Sequence, residues 1–483
     1  MTIFLIVLTI FKLWLARFLP LLGDEAYYAL WARHLDLSFV DHPPMIAWIN
    51  WAINLFAGYN DFGIRLTAVL LVLLSTYLIY LIGKEAFSHK IGLASALLFN
   101  LIPTYLAGGL FLTPEQPLII FWLLSTYACV KLFKHEDKRY WYLLGLTIGL
   151  GLLSKYPMIL FLPGVLLFLL LSKNNRLWFR RQEPYLAALL AVLIFSPVLI
   201  WNYQHGFPAL TFHGARLSSP HYIDNVLTFF VLQFLMYSPP LFLFSISVFL
   251  CFFWKERQQY DEMSLLLVSL SFPAFLVFLL VSPYTQIGGH WTSMVYLGML
   301  IVFCAKLFAL TPTPWKTTRF WINLGLIILL NILAVGYYAF FYPLPADLKG
   351  KAYTLNQELP KYIRDAKVNY VFSNQMGVAS LVAYYGKTEV YMPKGLWRQF
   401  DLWDQPELKK GDSILYFAFD ESDTEKRLKP LFGSVKLDPQ KRLFAKDSDI
   451  PLKTKVYVCR QSIQSGNNYN HLGAETLRRR LPE

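Results

Sequence analysis

The sequence predicts a polytopic α-helical membrane protein that carries a small soluble α/β domain toward its C-terminal end. Three observations lead there. Of 483 residues, 56% are hydrophobic and 16% charged, with a mean hydropathy of +0.42; soluble domains carry roughly 25% charged residues. Apolar runs recur along the first 343 residues at lengths close to the roughly 20 residues that cross a hydrocarbon core. Beyond Pro343 and Pro345 the runs stop and charged, mixed sequence begins.

The runs lie at 2–22, 64–82, 91–107, 117–133, 142–154, 157–171, 184–201, 237–254, 263–282, 292–310 and 320–342, about 11 helices, and merging or splitting the short ones moves the count within about 9–13. The first run lacks a basic leader and a small-residue cleavage site, and Lys12 and Arg17 interrupt it, so an uncleaved helix is expected. Residues 142–171 are too many for one ordinary span, and Ser154-Lys155-Tyr156-Pro157 marks the break, because proline ends or kinks a helix. The apolar stretch 222–238 precedes Pro239-Pro240 and suits an interfacial segment.

Orientation follows from charge. With the N-terminus inside, the inner loops 83–90, 131–141, 172–183, 254–262 and 311–319 hold fourteen lysines and arginines, whereas the outer loops hold Arg33, Lys155 and Arg216. The positive-inside rule therefore places the N-terminus in the cytoplasm, and the net charge of +13 is a topology signal without a nucleic-acid motif behind it. About eleven spans put the C-terminal part on the outer side of the membrane.

The expected organisation is a transmembrane module over 1–343 with an outer loop at 23–63, an α/β domain over 344–462, and a flexible tail over 463–483. VNYVFS, TEVYM, DSILYFAF and KVYVCR read as strands, and 374–385, ending at Gly386, reads as a helix. The four cysteines are scattered and define neither a disulfide framework nor a CxxC pair.

Candidate chemistry gathers on the outer side. Its loops collect Asp24, Glu25, Asp36, Asp41, Asp61 and Glu115, together with six of the nine histidines, including His42 and His290. Carboxylates and imidazoles at a bilayer boundary suit a reaction on a lipid-borne substrate: a carboxylate as base, cations for a phosphate. Lys155, at the outer end of a broken helix pair, is costly there unless it snorkels or binds something. Asp41-His42-Pro43-Pro44 reads equally as a rigid turn at a helix start, and His290-Trp291 as an interfacial anchor. A divalent metal is compatible with these side chains, yet HExxH is absent, no DxD lies among them, and no cofactor is required.

GDEAYYALWARHLDLSFVDHPPMIAW at 23–48 resembles the first outer loop of the GT-C membrane glycosyltransferases, in the family 39 and family 83 branch that includes lipid A aminoarabinose transferase and is related to protein O-mannosyltransferases. GIRL around Arg65, AGGLFLTPEQPL, LLSKYPMILFLP, FSPVLIWNYQHGF and GGHWTSMVYL follow in the family's order, so the resemblance covers most of residues 1–300. It implies a GT-C fold and transfer of a sugar from a polyprenyl-phosphate carrier to an acceptor hydroxyl on a lipid, glycan or protein, with inversion, at the outer face. The acidic pair after the first helix carries the family's catalytic aspartate and falls on Asp24, with Glu25 beside it. Inversion needs one carboxylate to take the acceptor's proton, and polyprenyl phosphate leaves readily once its oxygens meet positive charge. Lys155 and Arg65 are the candidate phosphate contacts; Asp41, His42, Glu115 and His290 are candidate substrate-binding groups. Glu115 stands where relatives carry aspartate. The rival readings are a lipid-linked sugar transporter or flippase, which would show internal repeats and polar residues at mid-membrane, and a non-catalytic scaffold.

Overall fold

The computed structural model describes residues 2–18, 20–215, 222–251, 261–310, 357–393, 398–419, 424–438 and 454–463, with isolated helical positions between 318 and 329. Fifteen helices lead the described chain: α1 (Thr2–Phe18), α2 (Gly23–Arg33), α3 (Met45–Ala57), α4 (Asp61–Ala86), α5 (His89–Leu101), α6 (Pro103–Gly108), α7 (Glu115–His135), α8 (Arg139–Leu152), α9 (Phe161–Leu171), α10 (Glu183–Gln204), α11 (Pro208–Gly214), α12 (Tyr222–Met236), α13 (Pro239–Cys251), α14 (Glu262–Val281) and α15 (Val295–Leu310). Ten of the expected apolar runs coincide with helices; the eleventh, 320–342, falls almost entirely outside the described residues, as does the tail beyond residue 463.

Among the described residues four helices, α4, α7, α10 and α14, are long and apolar enough to cross a membrane singly. The other described helices fall short of that length or apolarity. Asn60 accepts from the Gly63 N–H at the start of α4 (3.0 Å), and Asp261 from the Ser264 N–H at the start of α14 (2.9 Å), each satisfying an orphan donor of a first turn. The break at Lys155-Tyr156-Pro157 is real: α8 ends at Leu152, a 3-10 turn spans Tyr156–Leu160, and α9 follows. Leu189, Val192 and Leu193 on α10 point outward without protein cover, as a lipid-facing side must.

The 23–63 loop is itself largely helical. α2 and α3 lie at one end of the bundle, and nearly all of α2 is buried. What covers it comes from the C-terminal part, which adds α16 (Leu359–Asp365), β1 (Tyr370–Ser373), α17 (Met376–Gly386), β2 (Ile414–Phe419), α18 (Thr424–Leu428), β3 (Phe432–Leu437) and β4 (Thr454–Ser462). The sheet order is β1-β2-β4-β3; β1 and β2 run parallel, and β4 is antiparallel to both its neighbours. Three expected strands appear as β1, β2 and β4. TEVYM does not form one: only Tyr391 bridges to Phe372. β3 was not expected, because FGSVKL interrupts its apolar alternation with glycine and serine and takes its register from β4 instead.

α17 packs against α2. The Tyr385 hydroxyl accepts from the Leu21 N–H (2.7 Å) and donates to Asp61 Oδ2 (3.0 Å), tying three segments together. The helices approach backbone to backbone at Gly23 and Gly377: a Cβ placed on Gly23 would stand 2.7 Å from Gly377 Cα, whereas one on Gly377 meets nothing closer than 3.2 Å, a flexible Gln375 side chain. Gly23→Ala should therefore lower thermal stability in detergent by about 1–3 kcal/mol through overpacking, with Gly377→Ala clearly milder; equal effects would contradict this contact.

Candidate active site

Where α1 gives way to α2, the chain places two consecutive carboxylates in a helix's first turn, and the helix's geometry separates their fates. Successive side chains point about 100° apart around the axis, so Glu25 turns inward while Asp24 faces out.

Glu25 is buried and fully engaged. Oε2 receives the Leu22 N–H (2.9 Å) and Arg65 Nη2 (2.9 Å); Oε1 receives Arg65 Nε (3.3 Å) and the Leu112 N–H (3.2 Å). Arg65, reaching across from α4 with no exposed surface, also donates to the Pro20 carbonyl (2.7 Å). This is a closed ion pair that joins the start of α2 to α4 and to the turn before α7. Arg65 and Glu25 are thus brought to each other, not to an open space where a phosphate or an acceptor would sit.

Two further carboxylates repeat the pattern. Asp41 is buried; its Oδ2 accepts from the Tyr27 hydroxyl (2.6 Å) and its Oδ1 is bridged by Arg398 Nη1. Its backbone carbonyl faces His213 Nε2 at 3.1 Å. Glu115, at the first position of α7, is buried against the Lys155 ammonium, which the helix break carries inward, and has His290 Nε2 3.4 Å from Oε1. The Lys155 ammonium lies 5.6 Å from the centre of the Trp291 ring. His290 is half-exposed. Its turn is fixed from below: the Tyr237 hydroxyl donates to the Gly289 carbonyl (2.9 Å) and the Thr292 hydroxyl to Gln233 Oε1 (2.5 Å). The His42 ring is tilted against those of Tyr28 and His213, with ring centres 6.2 and 6.3 Å away, and lies within electrostatic range of Glu115.

Asp24 differs from all three. Among the described residues it has no hydrogen-bonded or ion-paired partner, and it is open to solvent, yet protein is dense around it, as on the wall of an open recess. Burial in that recess raises its carboxyl above the ordinary carboxylate range; Arg398 and His290 pull it down, and Asp41 and Glu115 push it up. The same field links Asp24 to residues from α7, the 288–292 turn, the 36–44 turn and the C-terminal part.

The structure therefore gathers Asp24, Asp41, His42, Glu115, Lys155 and His290 into one recess and sets Glu25 and Arg65 behind it. Asp36, also an outer acid, serves the scaffold: Trp201 Nε1 donates to its carboxylate (2.8 Å) and Trp48 Nε1 to its carbonyl (3.1 Å). Arg398 was missed. It lies in RQF, in a region legible only as alternating strands and turns, where a lone arginine beside an aromatic carries no spacing signal. Among the described residues no three metal-ligating side chains converge in a way that could hold an ion.

The chain is similar to known proteins in sequence and in fold. The profile of the dolichyl-phosphate-mannose-protein mannosyltransferase family matches residues 41–201. Lipid A galacturonosyltransferase RgtD of Rhizobium johnstonii is 25% identical over 285 residues, which are 58% of this chain and 59% of that protein. The undecaprenyl phosphate-alpha-4-amino-4-deoxy-L-arabinose arabinosyl transferase of Wigglesworthia glossinidia brevipalpis is 32% identical over 152 residues, 29% of this chain and 26% of that protein. The matches thus span less than two thirds of these relatives. In fold, the chain is similar to apo ArnT from Cupriavidus metallidurans, with a TM-score of 0.65 at 14% identity over 95% of this chain and 97% of that one. Part of the chain thus resembles that mannosyltransferase family and these lipid-directed sugar transferases in sequence, and nearly all of it has a fold similar to that of ArnT.

Removing Arg65 leaves Glu25 as a buried, uncompensated charge. Arg65→Met should cost about 3–5 kcal/mol, and adding Glu25→Gln should recover most of it, measured by thermal unfolding in detergent. A double variant no better than the single would refute the pairing.

Proposed function

We propose that this chain is a glycosyltransferase that moves a sugar from a polyprenyl-phosphate donor to an acceptor hydroxyl at the periplasmic face of a bacterial inner membrane, with inversion at the anomeric carbon. One observation carries the reading: of four carboxylates brought together by the fold, Glu25, Asp41 and Glu115 each have a cationic partner, and Asp24 alone is open and unpaired among the described residues.

That contrast is what a general base requires. A carboxylate held by an ion pair is a poor proton acceptor, since the cation stabilises its charged form. Asp24 combines solvent access with surroundings that raise its proton affinity toward the working range, the condition under which a base is efficient. As the acceptor oxygen attacks the anomeric carbon, its proton passes to Asp24. The bond from that carbon to the phosphate oxygen breaks on the opposite side, and polyprenyl phosphate leaves with the electron pair. Lys155 supplies charge for the departing phosphate: one N–H serves Glu115 and the ammonium has two more. His290, half-exposed at the same carboxylate, is placed to donate to phosphate or sugar oxygens. Glu115 holds Lys155 in place; Glu25 and Arg65 fix the helix that presents Asp24.

The names of the relatives support the donor class, and make lipid A the first acceptor to try, though a glycan or protein hydroxyl offers the same nucleophile. The charge asymmetry of the loops supports the outer, periplasmic side. The α/β part then stands outside the membrane, over the recess.

The test uses purified protein with undecaprenyl-phosphate-linked aminoarabinose or galacturonic acid and lipid A, with product and released carrier phosphate followed by mass spectrometry. Asp24→Asn should cut turnover about 10²–10⁴-fold without loss of thermal stability; a folded variant with unchanged turnover refutes the assignment. Because the base acts only when deprotonated and its proton affinity is raised, wild-type kcat/KM should fall with decreasing pH along a limb above the ordinary aspartate range. Lys155→Gln should weaken catalysis about tenfold or more, and a fall in kcat with KM for the donor unchanged would mark a contact made in the transition state.

A further inference from the structure

Three consecutive residues of the C-terminal part, Arg398, Gln399 and Phe400, close onto the corner of the recess that holds Asp41. The Gln399 N–H donates to the Tyr27 hydroxyl (2.9 Å), whose own proton goes to Asp41. The Gln399 side-chain oxygen accepts from the Val40 N–H (3.0 Å). Phe400 stacks on Tyr27 with ring centres 5.8 Å apart and planes 9° from parallel. Arg398 bridges to Asp41, its guanidinium 4.9 Å from the Phe212 ring centre, and remains partly exposed toward the recess. This is more than packing. Gln399 and Phe400 would anchor the segment unaided, whereas Arg398 answers a charge.

We propose that Arg398 is a positioning residue for sugar transfer: by pairing with Asp41 it offsets a negative charge that acts on Asp24 and leaves Asp24, among the described carboxylates of the recess, as the one free to take the acceptor's proton. The proposal rests on the glycosyl-transfer reading above and adds a residue from the C-terminal part to its machinery. Among the described residues, the charged and titratable groups that act on Asp24 are Arg398, Asp41, His290, Glu115 and the Tyr28 phenol. Glu115 has Lys155 and His290 for itself, so Arg398 is the cation that decides how strongly Asp41 acts on Asp24. Without it, Asp41 keeps, among the described residues, the Tyr27 hydroxyl, a neutral donor, and two like charges share the corner. The carboxylate whose charge is less well satisfied, Asp24, then holds its proton to higher pH.

The experiment compares Arg398→Met, Arg398→Lys, Asp41→Asn and the double variant Arg398→Met with Asp41→Asn in the full chain. It reads kcat against pH in the lipid A assay and, independently of turnover, the titration of Asp24 by infrared difference spectra against Asp24→Asn. Arg398→Met should move both the acid limb and the Asp24 titration to higher pH, so that turnover falls below wild type on the acid side of the limb. Arg398→Lys should retain most of the wild-type position, and adding Asp41→Asn to Arg398→Met should move both back. Lower turnover with an unmoved limb and titration would mean a structural role only and overturns the proposal, as would wild-type behaviour of Arg398→Met. If Arg398→Met does not fold, Asp41→Asn alone decides: the Asp24 titration must move to lower pH, and no movement overturns it. Absence of transfer by the wild-type protein would refute the glycosyl-transfer reading instead, while the infrared titration still reports on the charge relation itself.

Discussion

A carboxylate taken out of water must find a cation of its own, and the recess of this protein is organised by that constraint. Burying an unpaired charge costs several kcal/mol, more than most single contacts return. Glu25, Asp41 and Glu115 satisfy it with Arg65, Arg398 and Lys155. The three cations come from distant parts of the chain, so each pair also fixes a relation between elements: α2 with α4, the 36–44 turn with the C-terminal part, α7 with the break between α8 and α9. What looks like a cluster of acids is a set of clamps around one open group.

The clamps explain why the chain interrupts its helices where it does. A straight helix through 142–171 would hold Lys155 along the bundle wall. The 3-10 turn at Tyr156–Leu160 bends the path so that the ammonium meets Glu115 under the Trp291 ring. The polar contacts beneath His290, from Tyr237, Thr292 and Gln233, lie among apolar helices where such groups persist only when satisfied. Each supports a side chain at the recess rather than the bundle as a whole.

Much of this was legible in the sequence, for identifiable reasons. Apolar runs mark helices because hydrophobicity is local; Asp24, Asp41, Glu115, Lys155 and His290 stood out because charge is rare in such a composition and its position against the runs is informative. Pairing was not legible. Nothing in the spacing of Glu25 and Arg65 distinguishes two open groups from one closed pair, since that depends on which way adjacent side chains turn once α2 forms. Arg398 left no trace either: the C-terminal part has ordinary composition, where one arginine among many is silent. The edge strand β3 escaped because its residues alternate weakly and its partner supplies the register.

The hydrogen bond from Leu21 to Tyr385 joins residues 364 positions apart, and the bridge from Arg398 to Asp41 spans 357. Chains are made from the N-terminus and fold in units as they emerge, so α2 waits, already in place near the membrane, until nearly all the rest has been synthesised. Its buried face acquires a cover only then. During biogenesis the recess therefore exists in halves, and the protein gains its complete set of charges last, after the helices are inserted. A chain truncated before residue 377 would keep Asp24 and every other acid of the recess, yet lack both Tyr385 and Arg398, so the first turns of the recess would stand without the contacts that close them.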